Sequence, residues 1–128
     1  YDGEYNYNAC RVPWRIGTDY LVSGEPRALT IIQAINTWIK TKTNGNADNI
    51  VDGYTLMGGE SAGATGPSLA FTCPFAVAAM SDKSNQEWLN SLWTKIVDTP
   101  LSGEDEDYYG NTLKILTMIV ISGNWWTP

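Results

Sequence analysis

An all-α fold of about five helices, arranged as helical hairpins around one long loop, is what this sequence predicts. Three observations carry that reading: five segments place apolar residues at helical spacing, start and stop signals bracket most of them, and no convincing strand pair is visible.

Residues 9–22 read as the first helix, because Pro13 is tolerable only in a first turn, Val12, Ile16, Tyr20 and Leu21 recur at helical spacing, and Gly24 offers a stop. The residues before it, Tyr1 to Asn8, form a leading loop. The second helix, 26–43, opens at Pro26 and carries Leu29, Ile32, Ile35, Trp38 and Ile39 on one stripe until Asn44-Gly45 ends it. From Gly45 to Thr72 the period dissolves, and Gly53, Gly58, Gly59, Gly63 and Gly66 preclude any long helix. Loops this long in compact domains are usually functional. A short apolar third helix, 73–81, starts at Pro74. The fourth, 85–98, has a capping box in Ser84 and Glu87 and a wide face of Trp88, Leu89, Leu92, Trp93, Ile96 and Val97, with Thr99-Pro100 closing it. The last, 109–122, is apolar on nearly every side and so needs neighbours all round. That requirement suits a piece of a larger domain better than a free-standing bundle. Such a piece should leave an apolar flank uncovered, formed by Ile115, Met118, Ile119 and residues of the first helix.

Chemistry is bounded by what is missing. The chain has 128 residues and no histidine, which removes Ser-His-Asp and Cys-His mechanisms and leaves carboxylates to carry any catalysis. Cys10 and Cys73 form no CxxC pair, so neither a zinc site nor a disulfide scaffold is suggested, and no cofactor is expected. Asn44, Asn46, Asp48 and Asp52 superficially suggest a calcium loop, but the glycine and glutamate positions of an EF-hand do not match, leaving a helix stop and a turn. A net charge of −6 argues against nucleic acid and permits attraction of a cationic partner. The most apolar run, Leu113 to Ile121, is too short to span a bilayer, so no membrane partner is expected. The start at Tyr1 reads as internal or processed.

Six Trp and seven Tyr supply flat faces that can fill a core or stack on sugar rings. Trp14 and Trp38 read as core. The densest polar cluster comes early: Asp2, Glu4, Tyr5, Tyr7, Asn8, Arg11 and Arg15, interleaved with Trp14. Carboxylate, amide, phenol and guanidinium gathered where a loop meets a helix suit sugar hydroxyls and a ring face, although the same residues also suit a solvated tail. The run Glu104, Asp105, Glu106 and Asp107 precedes a helix start, where negative charge is favourable; the alternative is a contribution to a negative cleft for glucosamine units.

The string YNYNACRVPWRIGTDY, Tyr5 to Tyr20, resembles a segment of glycoside hydrolase family 8, and DYYGNTLKILTMIVISGNWWTP, Asp107 to Pro128, resembles that family's last helix and end. The resemblance implies that residues 1–128 are the C-terminal portion of a single, secreted catalytic domain folded as an (α/α)6 toroid, with polysaccharide as substrate and the N-terminal portion of the same enzyme as partner. It also implies inversion by an acid and a base carboxylate about 6.5 to 9.5 Å apart, the acid being a Glu in that N-terminal portion. The family's commoner base is an Asp where this chain has Asn8, and an amide cannot take a proton from water. A subgroup uses a loop Glu instead, which makes Glu4 the base and Glu60 its rival. By the same likeness Arg11 holds polar groups in place, Tyr7 contacts sugar or water, Asn8 orients water or substrate, and Tyr108 and Tyr109 include a cleft-lining aromatic. Trp125 and Trp126 seal the toroid's end. Chitosan leads as substrate, with mixed-linkage or β-1,4-glucan next; a non-catalytic carbohydrate-binding helical piece is the reading from another class.

Overall fold

The computed structural model describes residues 3–101 and 108–127. In chain order it contains β1 (Glu4–Tyr5), α1 (Val12–Ser23), α2 (Pro26–Lys42), β2 (Tyr54–Thr55), α3 (Leu69–Ala79), α4 (Gln86–Asp98) and α5 (Tyr108–Ile121), with short 3-10 turns at Ala47–Asn49 and Lys83–Asn85. The all-α expectation holds. Gly24 ends α1 in the left-handed region at φ 71°, and its N–H donates to the Tyr20 carbonyl. Asn44 (φ 53°) and Gly45 (φ 68°) end α2 in the same way, a conformation that asparagine and glycine adopt at little steric cost.

The centre of the molecule is α3. Every residue from Ala70 to Ala79 is buried, and the helix packs against α1, α2, α4 and α5. The sequence pattern assigns the surrounded position to α5 instead. In fact α5 lies mainly on α3, burying Leu113, Lys114, Thr117 and Val120, while Ile115 is 54% exposed and Met118 and Ile119 are half-buried. The Lys114 ammonium reaches the end of α4, donating to the Thr99 carbonyl at 2.6 Å, which is how a cation is accommodated on that face.

Three helix starts differ from expectation, and α1 opens at Val12, three residues after the predicted start at 9. Helix α3 begins at Leu69, four residues before the predicted start at 73, because the Ser68 hydroxyl caps it by accepting the Ala70 N–H at 3.2 Å. Pro74 lies inside the helix, where its missing N–H leaves the Ala70 carbonyl without its usual partner. Before α4, the Asp82 carboxylate caps the 3-10 turn by accepting the Ser84 N–H at 2.7 Å, so the expected Ser84–Glu87 box is not formed. A carboxylate one turn upstream makes the stronger, charge-assisted bond.

The predicted apolar stripe of α1 is also displaced. The helix buries Pro13, Trp14 and Gly17, whereas Val12, Leu21 and Val22 are exposed. The cause is close approach: a Cβ at Gly17 would stand 2.9 Å from Val77 Cγ1, so a residue without a side chain lets α1 lie directly on α3. Trp14 is core as expected. Trp38 is half-buried, packed edge-on to Tyr5 and Tyr54. Trp125 packs edge-on to Trp14 at 6.4 Å, but Trp126 is 83% exposed and seals nothing in this chain.

One strand pair interrupts the helical design. Glu4 stands opposite Thr55 and Tyr5 opposite Tyr54 in an antiparallel pair that ties the leading loop to the long loop, and Tyr54 makes a further bridge with Glu60. Tyr5 then turns its ring onto Phe71 and Phe75 of α3, at 5.6 and 5.8 Å between centroids. Burying each such aromatic removes enough apolar surface to contribute roughly 1.5–3 kcal/mol, so the leading loop is anchored in the core.

Candidate active-site cleft

The anchored loop delivers Tyr7, Asn8 and Arg11 to a surface that the long loop completes. Two adjoining openings, of about 520 and 460 Å3, share Tyr7 and Asp52 as a common wall. Arg11, Thr65, Ser68, Tyr109 and Asn111 line the first, together with residues of the α4–α5 connection, and Asn6, Asn8, Ala62, Gly63 and Ala64 line the second.

Asp52 is the polar hub. Its Oδ1 accepts the Thr65 N–H at 2.6 Å, and its Oδ2 accepts the Thr65 hydroxyl at 3.1 Å and the Tyr7 hydroxyl at 3.2 Å. Partial burial disfavours its charge, but the hydrogen bonds from Thr65 and Tyr7 outweigh that and hold its pKa below the ordinary carboxyl value. The Tyr7 phenol is pushed up, first by burial and then by the Asp52 charge, against a lowering from Ser68, whose Oγ stands 3.5 Å away. Tyr7 is therefore a neutral donor at physiological pH.

Tyr109 closes the other side. Its hydroxyl donates to the Tyr7 carbonyl at 3.3 Å and stands 3.3 Å from Cys10 Sγ, and the Arg11 guanidinium lies 5.7 Å from its ring centroid. Burial and the neighbouring thiol push the Tyr109 phenol up to about 12. Cys10 and Cys73 are buried free thiols. Among the described residues no three His, Cys, Asp or Glu side chains gather closely enough to hold a metal ion.

The structure thus brings Tyr7, Asn8, Arg11 and Tyr109 onto one cleft. Tyr108 is 77% exposed and lines neither opening. Glu4 is half-buried on β1 and also lines neither, so the expectation that it points into the cleft beside Arg11 is not met within this chain; among the described residues nothing pairs with its carboxylate. Glu60 lies beyond β2, 4.0 Å from the Lys42 ammonium, and lines neither opening. The acidic run 104–107 and Asp2 lie outside the described residues. Sequence reasoning misses Asp52 and Thr65. It reads Asp52 as part of a turn, and no local pattern marks a carboxylate whose partners lie 45 residues upstream and 13 downstream.

No family model matches the chain. The proteins it is similar to are named as glucanases. It is 49% identical over 126 residues to a beta-glucanase of Niallia circulans, covering 98% of this chain and 29% of that protein. To an endoglucanase of Bacillus sp. strain KSM-330 it is 41% identical over 128 residues, covering 100% of this chain and 26% of the relative. Among solved structures, the apo structure of a beta-1,3-1,4-glucanase from Paenibacillus sp. X4 matches with a TM-score of 0.88 at 48% identity, over 99% of this chain and 32% of that one. The chain spans less than a third of each of these proteins.

Proposed function

We propose that this chain is the C-terminal portion of a secreted catalytic domain that hydrolyses β-glucan internally, and that it supplies one wall of the substrate cleft. The observation that carries the reading is the 49% identity, across 98% of the chain, to a protein named beta-glucanase. The lining of the cleft suits a polysaccharide, since Tyr7 and Tyr109 offer ring faces, and Arg11, Asn8 and Asp52 offer the directional partners that sugar hydroxyls require. The relatives favour glucan over the chitosan that the sequence places first.

The exposed apolar residues Val12, Leu21 and Val22 of α1 and Ile115 of α5 support a chain continued by further helices of a toroid, as in family 8. In that setting the general acid comes from the remainder of the enzyme. The base in this reading is Glu4, the residue the family resemblance points to; it lies outside both openings of this chain and reaches the attacking water only in a cleft completed by the remainder of the enzyme. Water attacks the anomeric carbon as Glu4 removes its proton, the acid protonates the departing oxygen, and the configuration inverts.

Reducing-sugar release by the complete enzyme on mixed-linkage glucan, carboxymethyl cellulose and chitosan tests this reading. Glucan should be cut fastest. Faster turnover of chitosan would restore the other order of substrates, and binding without cleavage of any polymer would leave the non-catalytic alternative.

A further inference from the structure

A hydrogen-bonded carboxylate serves either as a base or as an anchor, and its partners decide which. Asp52 receives three donors: the Thr65 N–H at 2.6 Å, the Thr65 hydroxyl at 3.1 Å and the Tyr7 hydroxyl at 3.2 Å. Each partner stabilises the ionised form, so such a group is a poor base. Its position is equally informative. Asp52 lines both openings, and its contacts tie the leading loop at Tyr7 to the glycine-rich stretch around Thr65, which otherwise shares no strand with it.

We infer that Asp52 is a positioning residue that acts through Tyr7, fixing the phenol and the 62–65 segment as the shared wall of the two openings so that one sugar unit is held there. The inference rests on the glucanase reading for its ligand. The Tyr7 hydroxyl donates to Asp52 and stands 3.5 Å from Ser68 Oγ, so the two together orient the phenol against the cleft.

The test uses the complete enzyme with Asp52→Asn, Tyr7→Phe and the double variant. Asn is nearly isosteric, but its amide sets a donor against a donor at one of the three contacts. Asp52→Asn should lower kcat/KM on mixed-linkage glucan by about tenfold to a hundredfold, mainly through KM, and should have little further effect once Tyr7 is Phe. Fully multiplicative losses, or unchanged kinetics in Asp52→Asn, would overturn the inference. Loss of kcat by several orders at unchanged KM would overturn it too, by making Asp52 the base. A second readout does not need catalysis: with 13Cζ-labelled tyrosine, the Tyr7 resonance, assigned by its loss in Tyr7→Phe, should titrate at lower pH in Asp52→Asn because the raising charge is gone. An unmoved Tyr7 titration sinks the inference even if the enzyme cuts no glucan. A moved titration in a protein that cuts no glucan keeps the Asp52–Tyr7 contact and sinks only the functional reading.

Discussion

The two halves of this molecule are held together by different forces. Around α3 the contacts are apolar and dense: Phe71, Phe75, Ala76 and Val77 are buried, and the helices approach closely enough that Gly17 cannot carry a side chain without displacing Val77. At the cleft wall the long loop has little regular structure. Its hold on Tyr7 is polar and centres on the Asp52 carboxylate, with Ser68 Oγ 3.5 Å from the phenol, and the short β1–β2 pair and the Tyr5 ring anchor it more deeply. The contrast teaches that substitutions near α3 should be read in stability, and substitutions at the wall in substrate handling.

Phe75→Ala should show the largest effect. It empties a fully buried aromatic site beside Tyr5 and Trp38, and about 3–5 kcal/mol should be lost in a urea unfolding curve. A loss below about 1 kcal/mol would mean that the core can collapse around the gap, and the contrast between core and wall would weaken.

Gly17→Ala comes next. Alanine in a helix gains roughly 0.5–1 kcal/mol over glycine, but an overpacked core costs about 1–3 kcal/mol, so the clash wins. The net change should be destabilising, and Val77→Ala in the same chain should recover part of it, since the crowded atom is Val77 Cγ1. A stabilised Gly17→Ala would show that α1 and α3 can separate freely.

The smallest effect lies at the wall. The folded pKa of Asp52 is depressed, so its contribution to stability is present above the pKa of the unfolded chain and is lost as pH falls through the lower folded value. Asp52→Asn should therefore lower stability modestly near neutral pH and change it little at acid pH, which flattens the acid limb of a stability–pH curve. An unchanged limb would assign the acid sensitivity to another carboxylate.

The parts of the fold legible in the sequence are those set by local chemistry. Pro26 opening α2, Asn44-Gly45 closing it and Gly24 ending α1 are signals of backbone dihedral alone, which neighbours do not override. What is not legible depends on distant partners. The buried face of α1 turns on how near α3 comes to Gly17, and no periodicity within α1 encodes that distance. The run through Cys73-Pro74 hides the true start of α3, because a proline looks like a helix opener whether or not Ser68 has already capped the turn. The site divides in the same way. Tyr7, Asn8 and Arg11 are near one another in the chain and are legible together, whereas Asp52 joins them only through the folded long loop.

Kinetics of Glu4→Gln in the complete enzyme test the central claim most directly, because Glu4 is assigned as the base and Asp52 is its contrast. With Glu4 as base, kcat on mixed-linkage glucan should fall by about 10^2 to 10^4-fold, with KM and the unfolding midpoint nearly unchanged. Glu4→Gln that retains most of its activity would contradict that assignment.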